Sequence, residues 1–202
     1  MKNLSLFALL FCICAACNAE MKIFINDKKP AVLAPTQAQK PAKKVVKEKK
    51  KMSNEFKIGD LAPDFTLNDQ NGKAQTLSSY KGKFVLVYFY PKDDTPGCTT
   101  EACSIRDNVA QFSKYEVKVF GISADDVASH KKFIAKYKLP FDLLADTNKT
   151  VAKLYGADGL FIKRVSFLID KEGKFAKLYP SVNPSQHAGE ILADLASLTQ
   201  HI

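Results

Sequence analysis

Two cysteines five residues apart, Cys98 and Cys103, lie in the stretch Phe84–Arg106, FVLVYFYPKDDTPGCTTEACSIR. An apolar run, a proline-bearing loop and a helix-forming segment follow one another there, so Cys98 falls in the first turn of a helix and Cys103 in the second. Unpaired N–H groups and the positive end of the dipole at a helix start favour a thiolate over a thiol, and the thiolate is the reactive form. The residues ahead of it have readable parts. Pro91 stops the strand because it cannot donate to a ladder. Thr95 offers a hydroxyl that both donates and accepts, three residues before the thiol. Pro96-Gly97 makes the approach tight and lets bare backbone come close to whatever Cys98 touches. The chemistry these residues suit is nucleophilic attack by sulfur.

The elements that must position this loop are legible as a hydrophobic pattern. Phe84–Tyr90 is seven apolar or aromatic residues without alternation, the pattern of a strand covered on both faces. Cys98 to about Lys114 carries Ala102, Ile105, Val109 and Phe112 at helical spacing. Val117–Ser123, Phe141–Ala145 and Val165–Ile169 read as further strands. Asp125–Tyr137, Thr150–Tyr155 and Pro184–Leu198 read as helices, the last with Ile191, Leu192, Leu195 and Leu198 on one face. Lys171–Lys174 turns a hairpin into Phe175–Tyr179. Ahead of all these, Pro63–Leu67 and Lys73–Leu77 pair as a short hairpin extension around a turn at Asp69–Gly72. The order β-α-β-α-β-α-β-β-α is that of an α/β domain with a mixed central sheet flanked by helices.

Size and charge set limits. A chain of 202 residues with 46% hydrophobic content holds one ordinary domain with some excess. The net charge of +9 is not spread evenly: residues 1–51 hold eleven lysines against Glu20, Asp27 and Glu48, and the remainder is almost neutral. The folded part therefore offers no basic face for nucleic acid, and none is expected as a partner. Cys12, Cys14 and Cys17 sit in the N-terminal apolar run, which leaves two cysteines for the domain, too few for a disulfide scaffold or a four-cysteine metal site. No metal or other cofactor is expected.

Residues 1–19 have the outline of a secretory signal peptide, with Cys17-Asn18-Ala19 as a small-x-small exit before Glu20. Alternatively Cys14-Ala15-Ala16-Cys17 resembles a lipobox whose signal is residues 1–16 and whose Cys17 is lipidated, departing from that pattern in Cys14. Residues 20–54 form a Lys-, Ala- and Pro-rich linker, and 55–202 the domain. The expectation is an exported protein, periplasmic or anchored to the envelope, meeting a membrane only through Cys17 or the basic tether. A start at Met21 or Met52 is the cytoplasmic alternative.

A redox-type cysteine on the helix after the first long strand, with a later hairpin, resembles the thioredoxin fold. Pro91, Thr95 and Cys98 at these spacings match the peroxiredoxin motif. The longer string YPKDDTPGCTTEAC resembles the peroxiredoxin Q, or bacterioferritin-comigratory, branch over about residues 56–199. The resemblance implies a thiol peroxidase, a monomer here, that reduces hydrogen peroxide and organic hydroperoxides. It implies Cys98 as the peroxidatic nucleophile, Thr95 as a donor to the peroxide, and a cation from a later strand, which Arg164 matches. Arg106 competes for that role, but eight residues of helix rise about 12 Å and carry its base away from the thiol. Glu101 matches the glutamate that orients the arginine, and is otherwise an ordinary acid of the first turn. Asp93 and Asp94 read as solvated loop charges, and His130, His187 and His201 show no spacing to either thiol. A sulfenic acid on Cys98 is open to capture by a second thiol, and Cys103 is the resolving candidate or else a buried bystander. Five residues of regular helix separate their Cα atoms by about 8.6 Å, beyond the ~7 Å a disulfide tolerates, so bonding requires the helix start to unwind. The implied reductant is a thioredoxin-like dithiol. Two other readings remain: an exported thiol–disulfide oxidoreductase, which would want Cys-x2-Cys, and a non-enzymatic binding protein that uses the basic tail.

Overall fold

The computed structural model describes residues 56–200. The leader, Cys17, both alternative start sites, the whole of the lysine-rich linker and His201 lie outside the described residues. Seven strands form one mixed sheet: β1 (Thr66–Asp69), β2 (Ala74–Thr76), β3 (Phe84–Phe89), β4 (Val117–Ser123), β5 (Asp142–Ala145), β6 (Val165–Ile169) and β7 (Phe175–Tyr179). Their spatial order is β2-β1-β5-β4-β3-β6-β7. Strands β3, β4 and β5 run parallel, and β1, β6 and β7 each pair antiparallel with their neighbours. This is the thioredoxin-like architecture, with β1 and β2 as its N-terminal hairpin.

β3 lies in the middle of the sheet and is buried along its whole length. Its alternate residues feed two cores. Leu86, Tyr88 and, just past the strand, Tyr90 pack with α1 (Pro96–Asp107), α2 (Val109–Lys114), α3 (Val127–Tyr137) and α5 (His187–Thr199) through Ile105, Phe112, Phe133, Ile191 and Leu195. Val85, Val87 and Phe89 face α4 (Thr150–Leu154), Tyr155 and Phe175 on the other side. Helices thus cover both faces unequally, and the thicker layer carries the cysteines.

The strands from Phe84 onward fall where apolar runs require them. Three local differences have physical causes. The helix expected over Cys98–Lys114 is broken at Asn108, whose φ of −104° and ψ of 4° leave the helical region. Its side-chain amide donates to the Ser104 carbonyl at 2.9 Å, and its own carbonyl accepts from the Gln111 and Phe112 amides to start α2. Such side-chain competition with the backbone is the reason Asn is a poor interior helix residue. β2 begins at Ala74, not Lys73, because the Asp69 carboxylate builds the turn, accepting from the Asn71 and Lys73 amides at 2.8 and 3.0 Å and from Gln75 at 2.7 Å. β1 begins at Thr66, beyond Pro63, which has no N–H to donate and whose carbonyl accepts from Tyr155 Oη at 2.6 Å. The last helix begins at His187, not Pro184, because Asn183 first closes a turn by accepting from the Ser185 amide.

Candidate active site

Strand β3 delivers the chain to the C-terminal edge of the sheet, where Tyr90 still donates its amide to the Ile122 carbonyl at 3.1 Å before Pro91 ends the ladder. The chain reverses through Asp94, in the left-handed region at φ 58°, which Asp tolerates better than most side chains. α1 then opens with Thr95 as its N-cap residue and Pro96 at its first position, where a missing N–H costs nothing. Cys98 therefore sits in the first turn, as the sequence implied, and Cys103 in the second. Both thiols are free; Cys98 is 2% exposed and Cys103 half-buried. A sulfur so covered is reached only by a small or slender molecule.

Arg164, one residue before β6, reaches across to this turn. Its Nη2 lies 3.3 Å from Cys98 Sγ, while its Nη1 donates to the Glu101 carboxylate. Gly97 makes the approach possible: a Cβ there would stand 3.2 Å from Nη2. Burial works against charge on the guanidinium, but the Cys98 sulfur and the Glu101 carboxylate outweigh it and hold the arginine pKa above its usual range. Glu101 is completely buried, with Oε1 unpartnered, and burial pushes its pKa up to about 7 although the Arg164 charge opposes the shift. The arginine strengthens as a cation while its carboxylate partner weakens as an anion. Both directions are physically consistent, because Arg164 has two acceptors and Glu101 has one satisfied oxygen.

The structure places Cys98, Arg164 and Glu101 together, and Arg106 is elsewhere: its Nε meets Asp107 at 2.8 Å and its Nη1 donates to the Tyr137 carbonyl at 2.7 Å. Thr95 stands three residues before the sulfur, with its hydroxyl donated to the Lys92 carbonyl at 3.0 Å, so donating to a peroxide would require releasing that bond. Other expectations need correction. Asp93 is no solvated charge. It is 7% exposed, and its carboxylate accepts from Tyr90 Oη at 2.7 Å, Ser129 Oγ at 2.7 Å and His130 Nδ1 at 2.9 Å. Asp94 is exposed but not free, since it accepts from Lys136 at 2.7 Å and Tyr137 Oη at 2.6 Å. His187 is buried with Nε2 2.9 Å from Ser166 Oγ, and burial, then the nearby Arg164 charge, lowers its pKa to about 4. Only the fold, by packing α3 on the active-site loop and α5 beside β6, makes the two histidines neighbours of the site. No sequence spacing signals it.

The AhpC/TSA family model matches residues 58–177. The chain is 41% identical over 187 residues to chloroplastic peroxiredoxin Q of Oryza sativa subsp. japonica, covering 90% of this chain and 86% of that protein. It is 40% identical over 154 residues to peroxiredoxin Bcp of Bacillus subtilis, covering 72% of this chain and 98% of the relative. Among solved structures, PrxQ of Xylella fastidiosa superposes with a TM-score of 0.67 at 29% identity, covering 71% of this chain and 98% of its own. The bacterioferritin comigratory protein of Xanthomonas campestris, studied for its alkyl peroxide reduction activity, superposes at 0.62 with 33% identity over 66% of this chain and 91% of its own. A thiol at a helix start, gripped by an arginine from the next sheet segment, and these likenesses along the whole domain agree: the chain belongs to the AhpC/TSA family, as a peroxiredoxin of the peroxiredoxin Q/Bcp branch.

Proposed function

We propose that this peroxiredoxin reduces hydrogen peroxide and organic hydroperoxides through a sulfenic acid on Cys98, resolved by Cys103 as an intramolecular disulfide and recycled by a thioredoxin-like dithiol. The observation that carries the reading is the placement of Arg164 Nη2 3.3 Å from Cys98 Sγ. A thiolate there accepts a charge-assisted hydrogen bond, and the same fixed charge faces the oxygen that becomes negative as the O–O bond breaks. The sulfur attacks the terminal oxygen of the hydroperoxide: an S–O bond forms, the O–O bond breaks, and the departing alkoxide or hydroxide takes a proton to leave as alcohol or water. Cys98 is oxidised to the sulfenic acid. The Cys103 thiolate then attacks that sulfur; an S–S bond forms, the S–O bond breaks and hydroxide leaves as water. A dithiol exchanges with the disulfide, restoring two thiols and becoming oxidised itself. The alkyl peroxide reduction studied in the Xanthomonas relative supports including organic hydroperoxides.

Rapid mixing with peroxide and a dithiol reductant tests the scheme. Cys98→Ser is expected to abolish peroxide consumption, and turnover by that variant would overturn the assignment. Cys103→Ser is expected to complete one oxidation and then stall, with a mass gain of one oxygen; normal cycling would remove Cys103 from the mechanism. We further propose export of the protein by its N-terminal leader. The mass of the mature N-terminus distinguishes Glu20, lipidated Cys17 and Met52.

A further inference from the structure

α3 grips the segment that bears both cysteines from either side. Ahead of Cys98, Asp93 is bonded to Ser129 and His130 of α3, and Asp94 to Lys136 and Tyr137. Beyond Cys103, Arg106 donates to the Tyr137 carbonyl. The Asp93 clamp is the stronger. Its carboxylate accepts three hydrogen bonds, those from Tyr90 and His130 buried and that from Ser129 part-buried. Its own amide donates to Asp125 Oδ2 at 2.8 Å, and Asp125 Oδ2 also accepts from Ser123 Oγ at 2.7 Å at the end of β4. Burial would push the Asp93 pKa up, yet the bonds from His130, Tyr90 and Ser129 hold it below the ordinary carboxylate value, so the group is an anion anchored by its donors. Between Asp94 and Arg106 the side-chain hydrogen bonds stay within the loop and α1, from Thr95 to the Lys92 carbonyl and from Thr100 to the Pro96 carbonyl, save those from Arg164 to Cys98 and Glu101.

We propose that Asp93, held by Ser129 and His130 of α3, is a positioning residue that keeps Cys98 under Arg164 during attack on peroxide, and that the strength of its hold limits how fast α1 unwinds to bring the sulfenic acid to Cys103. The inference rests on Cys103 being the resolving thiol. It predicts a trade: a firmer clamp speeds oxidation and slows resolution, and a weaker one does the reverse. In the thiolate state the segment is held at both ends and by the Arg164 bond to sulfur. Once the sulfur carries oxygen and no charge, that bond loses its ionic assistance, and the Asp93 clamp is the chief remaining restraint ahead of the helix. Loss of general stability would instead slow oxidation without speeding disulfide formation.

The chain has no Trp to report the steps by fluorescence, so the test is rapid quench of the full-length protein after mixing with hydrogen peroxide, followed by mass measurement. Sulfenic acid appears as a gain of oxygen and the disulfide as a loss of two hydrogens. His130→Leu keeps much of the volume and removes the donor to Asp93; Ser129→Ala removes another; His130→Asn keeps a donor near the Nδ1 position. Losing one buried bond to a charged group is expected to slow Cys98 oxidation and to accelerate disulfide formation, each about tenfold, in His130→Leu. Ser129→Ala moves both rates the same way, and His130→Asn returns both toward the parent. Both rates falling together, both unchanged, or His130→Asn matching His130→Leu would overturn the proposal. If His130→Leu fails to fold, Ser129→Ala alone decides by the same criterion. Absence of a Cys98–Cys103 disulfide in the unsubstituted protein would show instead that the resolving assignment had failed, before any variant is read.

Discussion

Arg164 does two jobs with one planar group: Nη1 is fixed on Glu101 and Nη2 is presented to the Cys98 sulfur. A lysine would keep the charge but not the fork, because its single ammonium is a point donor on a flexible stem. Arg164→Lys is therefore expected to lower kcat/KM for hydrogen peroxide by about a hundredfold, in the range found when one preorganised donor to a developing oxyanion is lost. A steady-state assay with circular dichroism as the folding control checks it, and a loss of only twofold would show that charge alone suffices. Gly97→Ala acts on the same contact from the other side. The added Cβ at 3.2 Å from Nη2 must displace the guanidinium, so oxidation of Cys98 is expected to slow while the melting temperature stays close to the parent value.

Gly121 plays the corresponding part inside the sheet. It lies on β4 opposite Tyr88 of β3, and a Cβ there would fall 2.6 Å from Leu143 Cδ2 and from the Tyr88 ring and hydroxyl. Gly121→Ala is expected to lower the unfolding free energy by about 1–3 kcal/mol by overpacking, read as a lower urea midpoint with an unchanged slope. An unchanged midpoint would mean that Tyr88 swings aside freely. The same element shows what the sequence reveals and what it hides. The continuous apolar run over Phe84–Tyr90 announced a strand buried on both faces, and its divided packing bears that out. Cys98, Arg164 and Glu101 were legible because a loop with fixed spacing and a resemblance pointed to them. Asp93 was not, since an aspartate in a polar loop looks the same whether it faces water or a helix 36 residues further on. Only the packing of α3 decides between the two. The break at Asn108 was hidden for another reason: Val109 and Phe112 keep helical spacing across it, so periodicity sees one helix where the backbone makes two.

Across the whole molecule, Glu101 and His187 set opposing pH dependences around Arg164. Glu101 titrates at about 7 when folded, against an ordinary value of 4.5, so the native protein binds the extra proton in that interval and the stability it contributes is present below 4.5 and lost as pH rises through about 7. His187 titrates at about 4 against 6.5, so the native protein resists the proton and the stability it contributes is present above 6.5 and lost as pH falls through about 4. Each swing is on the order of 3 kcal/mol from the size of the shift, with opposite sign over the shared window from 4.5 to 6.5. The lowered Asp69 and Asp93 carboxylates contribute stability that is lost only as pH falls below the ordinary aspartate value, at and beneath the lower edge of that window. The reduced parent protein is thus expected to show nearly flat stability across the window. Removing one partner exposes the other: Glu101→Gln should gain stability as pH rises through the window, and His187→Asn should lose it, whatever offset each substitution adds at a single pH. Urea unfolding followed by circular dichroism at four or five pH values reads these slopes directly. A Glu101→Gln slope equal to that of the parent would place the Glu101 titration outside the window and leave its carboxylate ionised beside Arg164 throughout.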